Sequence, residues 1–203
     1  SQDIGTSSER IVKKIIKEYR TAYENSTAGG THTLSGINLQ HFDELVSAIN
    51  IFCESVIHEL QKEYTTERVL LELILSARNL CHEHYTGAFT QYAIDLNTFA
   101  GSIKYKIESQ NYEAKYGHIL DNINHLMKLL SKENSEIIID NYTSSHDRNL
   151  NDETPTLGSF GLSIYFPKML RIEPIYEDPE IMPFSSKKNK WVDLLNELKN
   201  QKP

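Results

Sequence analysis

The sequence predicts a mixed α/β fold, with helices in the majority and a few short strands among them. Three observations carry this. Gly161-Leu162-Ser163-Ile164-Tyr165-Phe166-Pro167 alternates apolar and polar residues with a period of two, the pattern of a strand with one buried face. Glu136-Ile137-Ile138-Ile139-Asp140-Asn141-Tyr142 is a β-branched run of strand type. Phe42, Leu45, Val46, Ile49, Phe52, Cys53, Val56, Ile57 and Leu60 recur at helical spacing and form the longest amphipathic pattern in the chain. The strand at 161–167 is expected to be central, opened by Gly161 and closed by Pro167, because proline donates no ladder hydrogen bond.

From the start of the chain, Thr6-Ser7-Ser8-Glu9 is a capping signal with an acid in the first turn. Ile11, Val12, Ile15, Ile16 and Tyr19 then define a helix running to about Asn25. Ser26 to Thr31, with Gly29-Gly30, reads as a turn. Thr33 to Leu39 reads as a short strand. A lone strand is not stable unpaired, so its neighbours must come from elsewhere in the chain or from another polypeptide. Asn38 is placed to cap the long helix, which is expected from about Gln40 to Tyr64. Thr65-Thr66 breaks it, and Val69 to Leu80 is another helix.

Cys81 to Thr90 reads as a loop or frayed helix end. Tyr92 to Leu96 reads as a turn feeding a helix that carries Phe99, Ile103 and Ile107. Tyr112 to Leu130 is a further helix with Ile119, Ile123, Leu126, Leu129 and Leu130 on one side. Ser144 to Thr156 is the most polar run. Ile172 to Phe184 is punctuated by Pro174, Pro179 and Pro183 and is expected to be extended. Trp191, Leu194, Leu195 and Leu198 make a closing helix. A compositional seam near Tyr64-Thr65 divides the chain into residues 1–64 and 65–203.

Composition narrows the function classes. The chain has 203 residues, 39% of them hydrophobic, enough to bury a core. Its formal charge is −7 and its pI about 5.6, with no long Lys/Arg run, which argues against nucleic-acid and anionic-membrane binding. No apolar stretch approaches the roughly 20 residues of a membrane span. The start, Ser1-Gln2-Asp3-Ile4-Gly5, is polar and has no signal-peptide profile, which suggests a trimmed or processed polypeptide. Cys53 and Cys81 both fall in apolar helical patterns, as expected of free, buried thiols.

No complete catalytic constellation is present. Cys81-His82-Glu83-His84 groups a thiol with two imidazoles, but a metal site needs a second ligand pair at a distance, and His118, His125 and His146 are scattered. A helix-end polar cluster is the better reading. Cys81 with His82 or His84 as nucleophile and base is disfavoured too, because such pairs meet in space and not as sequence neighbours. Cys53 reads as a small core hydrophobe. Asp147-Arg148-Asn149-Leu150-Asn151-Asp152-Glu153 begins like a calcium loop but lacks the glycine at the sixth place and the acid at the twelfth. No phosphate loop, Gly-x-Ser-x-Gly elbow or His-Glu-x-x-His occurs.

Four segments, in order, resemble one family. Thr33-Leu34-Ser35-Gly36-Ile37-Asn38-Leu39 followed by a long helix resembles the "T-L-S-A-I-D-L" strand and helix of clostripain-like cysteine peptidases. Ala93-Ile94-Asp95-Leu96-Asn97-Thr98-Phe99-Ala100 is similar to their "V-D-L-x-D-F-A" helix start. Gly161 to Pro167 resembles their "G-L-S-I-Y-F-P" segment, and Trp191-Val192-Asp193-Leu194-Leu195 their final "W-x-x-F-L" helix. Asn38 departs from the family's Asp, and Asn97 fills a spacer where an acid is common. The resemblance implies a caspase-like three-layer α/β sheet, ending within residues 1–64 and completed by upstream segments. A mainly helical C-terminal subdomain with a few strands then covers residues 65–203.

The resemblance also implies an endopeptidase whose Cys thiolate, paired with a His, attacks after Arg or Lys. Both residues lie upstream of this stretch in the family, so this chain is expected to carry no catalytic residue. Its expected role is to complete the fold and brace the site. By analogy with caspases, where a strand from the later half of the chain pairs with substrate, the strand at Ser35 is expected to line the substrate cleft. The expected partners are an N-terminal segment or chain of the same protein and a peptide or protein substrate, with no nucleic acid and no membrane span. The residues require no cofactor and the resemblance alone admits calcium. It also suggests a secreted or cell-envelope bacterial protein. The alternative is a stand-alone binding module that kept the fold and lost the Cys/His pair.

Overall fold

The computed structural model describes residues 7–24, 33–63, 68–81, 93–131, 137–143, 162–167, 170–172 and 189–201. The expected turn at Gly29-Gly30, the break at Thr65-Thr66 with the seam beside it, and residues 82–92 lie outside this set. So do the polar run from Ser144 with its Asp147 segment, Gly161, and all of the proline-rich stretch beyond Ile172. The described residues form a mixed α/β fold in which helices dominate and the strands make two separate antiparallel pairs.

Helix α1 spans Ser8–Glu24. Ser7 caps it, its carbonyl accepting from Ile11 N–H and its hydroxyl from Arg10 N–H at 3.3 Å. Strand β1, Thr33–Ile37, follows. Asn38 then caps a short 3₁₀ turn, Leu39–His41, by accepting from Gln40 N–H at 3.1 Å. That turn leads into α2, Phe42–Glu63, so the expected cap acts one turn ahead of the long helix. Leu45, Ile49, Phe52, Cys53, Val56 and Leu60 form its buried stripe, as the spacing predicts. Helix α3 occupies Val69–Leu80.

The segment read as a turn before Leu96 is instead a strand, β2, Ala93–Asp95. Asp95 ends it and caps α4, Leu96–Ser109, by accepting from Thr98 N–H at 2.8 Å. The cap dominates the local sequence signal, and the strand exists only through its distant partner. Helix α5, Glu113–Leu130, folds back on α4. Between them Asn111 takes φ 58°, with Tyr112 N–H bonded to Ile107 O and Asn111 N–H to Glu108 O. This is the paired hydrogen-bond pattern of a left-handed helix end, in which asparagine substitutes for glycine.

Strand β3 is Ile138–Thr143, β4 is Ser163–Tyr165, and α6 is Trp191–Gln201. β1 pairs with β3, Ser35 opposite Asn141, and so finds a neighbour within the chain. β2 pairs with β4, Ile94 opposite Ile164. The expected central strand at 161–167 is therefore corrected: β4 is three residues long and, among the described residues, has β2 as its one strand neighbour. The expected alternation holds only at its start: Ser163 is exposed between half-buried Leu162 and Ile164, whereas Tyr165 is half-buried as well and Phe166 and Pro167 are both buried. Helix α2 lies against α3, α5 and α6, while α4 lies against α3 and α5, and α1 covers the β1–β3 pair. Ile137 and Ile138 join the helical core, tying that pair to it.

Candidate functional site

Ser35 sits at the middle of β1, half-buried. The register gives its orientation. Asn38 N–H bonds to Ile137 O at 2.8 Å, so Asn38 faces β3. The bulge between Gly36 and Ile37 places the extra residue, Ile139, on β3 and leaves β1 regular. In an antiparallel strand the N–H and C=O of alternate residues point to the same side. Those of Gly36 and Leu34 therefore face β3, and those of Ser35 and Ile37 face away from it. Above this strand Gly36 admits α1: a Cβ there would lie 2.1 Å from Val12 Cγ1.

The other three segments singled out in the sequence meet at a second place. Leu96 N–H donates to Leu162 O at 2.9 Å, extending the β2–β4 ladder. The rings of Phe99, Phe166 and Trp191 pack edge-to-face, their centroids 5.2, 5.9 and 5.8 Å apart. Trp191 Nε1–H donates to Tyr165 O at 2.7 Å. Arg78, 1% exposed, donates from Nε to Phe166 O at 2.6 Å and lies 5.9 Å from the Phe166 ring centre. Asp95, fully buried, lies near enough to act electrostatically on Cys81, as Arg78 does. Sequence reasoning missed Arg78. It stands four residues after Ile74 and seven after Leu71, on an apolar stripe, and a charge there is the available signal.

Neither thiol is placed for chemistry. Cys53 is fully buried and burial pushes its pKa well up. Cys81 is 4% exposed and its Sγ–H donates to Ala77 O at 3.2 Å. Burial pushes its pKa up to about 12, against the smaller opposing effects of the Ser102 hydroxyl and the Arg78 charge. A thiol in this state supplies almost no thiolate near neutral pH. Both cysteines are free. His82, His84 and His146 lie outside the described residues. His118 Nε2 is 3.7 Å from Glu59 Oε1 on the surface, and His125 is exposed.

Among the described residues no group of His, Cys, Asp and Glu is arranged to hold a metal ion. Glu54, His58, Asp193 and Glu197 line a surface hollow of about 370 Å³ between α2 and α6, with Lys190 among them and its Nζ 3.0 Å from Asp193. A groove of about 760 Å³ opens where α1 begins, lined by Ser7, Glu9, Lys13, Asn38 and His41. No described helix is long and apolar enough to cross a membrane.

A second missed feature is a clamp at the end of α2. Glu63, 5% exposed, accepts from Leu70 N–H at 3.0 Å and from the Tyr116 hydroxyl, and pairs with Lys115 Nζ at 2.7 Å. It ties α2 to α3 and α5. Comparison of the chain with protein-family models, with curated proteins and with solved structures finds no match.

Proposed function

We propose that this chain is the C-terminal, non-catalytic part of a clostripain-like cysteine endopeptidase. It completes a caspase-like three-layer α/β sheet and braces an active site whose thiol and imidazole come from upstream sequence. One observation supports this most. Three of the segments that carry the resemblance, widely separated along the chain, converge on one cluster of strand pairing and ring contacts. The fourth segment forms β1, where Ser35 is the residue proposed to line the substrate cleft. The substrates are then peptides with Arg or Lys before the cut.

The test is the reading frame upstream of Ser1 together with the intact masses of whatever polypeptides co-purify with this chain. The expected result is a preceding segment or second chain that carries a His and a Cys in an acid-preceded context. A frame that starts at this chain and yields one mass overturns the proposal and supports the stand-alone binding module.

A further inference from the structure

We infer that the seam between α2 and α5 is a pH-sensitive latch, held by a permanent charge at Lys115 and by a conditional one at His118. It does not rest on the function proposed above. Glu59 and Glu63 stand one turn apart at the C-terminal end of α2, their side chains 12% and 6% exposed. Like charges four residues apart repel, and Glu63 also stands at the negative end of the helix dipole. Both acids find a cation on α5. Lys115 Nζ meets Glu63 at 2.7 Å, and His118 Nε2 meets Glu59 at 3.7 Å. Between these two residues α5 is kinked: Tyr116 takes φ −115° and ψ 24°, and its hydroxyl donates to Glu63. Lys62, on α2 itself, meets Glu59 at 2.7 Å and ties it to nothing beyond its own helix.

The two crossing contacts answer differently to pH. Lysine keeps its charge to high pH, and Lys115 is raised further, first by its hydrogen bond to Glu63. Histidine is the side chain that changes charge between about pH 5 and about pH 8. A histidine that gains a carboxylate on folding contributes stability that is full at acid pH and lost as pH rises through its titration. The charges around His118 bear on that sign. From α2, Glu59 and Glu63 favour the imidazolium and Lys62 opposes it. On α5, Lys115 opposes it and exposed Asp121 favours it, with α2 docked or released. Helix α4 lies on the other flank of α5, at Asn124 and Met127, away from His118. Glu59 is the one acid in ion-pair contact with His118 among the described residues, so the docked state favours the charged ring. Helix α2 leads out of β1 through the 3₁₀ turn, so the latch sets how firmly that helix is held to the C-terminal helices.

The test is hydrogen exchange of the full chain at about pH 5.5 and about pH 7.5, read by mass spectrometry over residues 56–63 and 113–120 and corrected for the intrinsic pH dependence of exchange. The wild type is expected to be about two- to fivefold better protected at the lower pH, the range of a single exposed ion pair. His118→Gln and Glu59→Gln should each abolish that difference. Lys115→Met should lower protection at both pH values and keep the difference. His125→Gln, at an exposed histidine of the same helix, is the control and should keep it as well. Circular dichroism at both pH values reports the folding of each variant. His118 lies on the surface, so its variant decides the matter even where Glu59→Gln does not fold. Equal protection of the wild type at the two pH values overturns the inference. So does the wild-type difference persisting in His118→Gln or in folded Glu59→Gln, or its loss in His125→Gln.

Discussion

The indole N–H of Trp191 donates to the carbonyl oxygen of Tyr165 at 2.7 Å, joining the last helix to the strand that pairs with β2. The same ring packs against Phe99 and Phe166. Trp191→Phe keeps an aromatic body and removes this hydrogen bond, so it should cost about 1–2 kcal/mol. Trp191→Ala also opens a cavity and should cost about 3–5 kcal/mol. Urea unfolding of the two variants measures the difference, and equal losses would remove the hydrogen bond from the account.

Gly36 and Val12 form the contact that seats α1 on β1. Gly36→Ala forces its new methyl against a β-branched side chain that has little rotamer freedom, 2.1 Å away. The expected loss is about 1–3 kcal/mol. Val12→Ala makes room, so the double variant should be more stable than the sum of the two single changes predicts. A double-mutant cycle reads this coupling directly.

The Glu63 clamp predicts alkaline sensitivity. Tyr116 is raised from its ordinary 10.0, first by burial and then by its hydrogen bond to Glu63. Lys115 is raised from 10.5, first by its hydrogen bond to Glu63. Groups raised in the folded state hold protons that the unfolded chain releases, so their contribution is full below pH 10 and falls as pH rises beyond it. The unfolding midpoint should hold up to about pH 10 and fall as pH rises beyond it, less steeply in Tyr116→Phe. Identical slopes in the two proteins would detach Tyr116 from the effect.

Both thiols should be silent to an aromatic disulfide reagent in the native protein at neutral pH and should react fully in denaturant. Cys81→Ala should leave the secondary structure intact. Fast native labelling of Cys81 would contradict its burial.

Local patterns were legible wherever one face is buried. The stripe of α2, the span of α3, the capping residues Ser7 and Asn38 and the strand character of 33–37 all follow from spacing and side-chain chemistry. Long-range pairing was not legible. β2 is three residues long and its Asp95 signals a helix start, so only Tyr165, Ile164 and Ser163 across the ladder make it a strand. Arg78 and Glu63 fall at helical spacing on the apolar stripes of α3 and α2, where periodicity alone suggests core. Their partners, Phe166 O and Tyr116, stand 88 and 53 residues away. Ser35 was legible as a strand residue, but the direction of its backbone groups comes from the register with β3.

The central claim is that this chain braces chemistry it does not perform. The direct measurement is hydrolysis of a fluorogenic Arg or Lys peptide by the isolated chain and by the chain co-expressed with its upstream sequence. The account predicts no turnover by the first and turnover by the second, lost on replacing the upstream cysteine. Turnover by the isolated chain, abolished by Cys81→Ala and retained in Cys53→Ala, would contradict it.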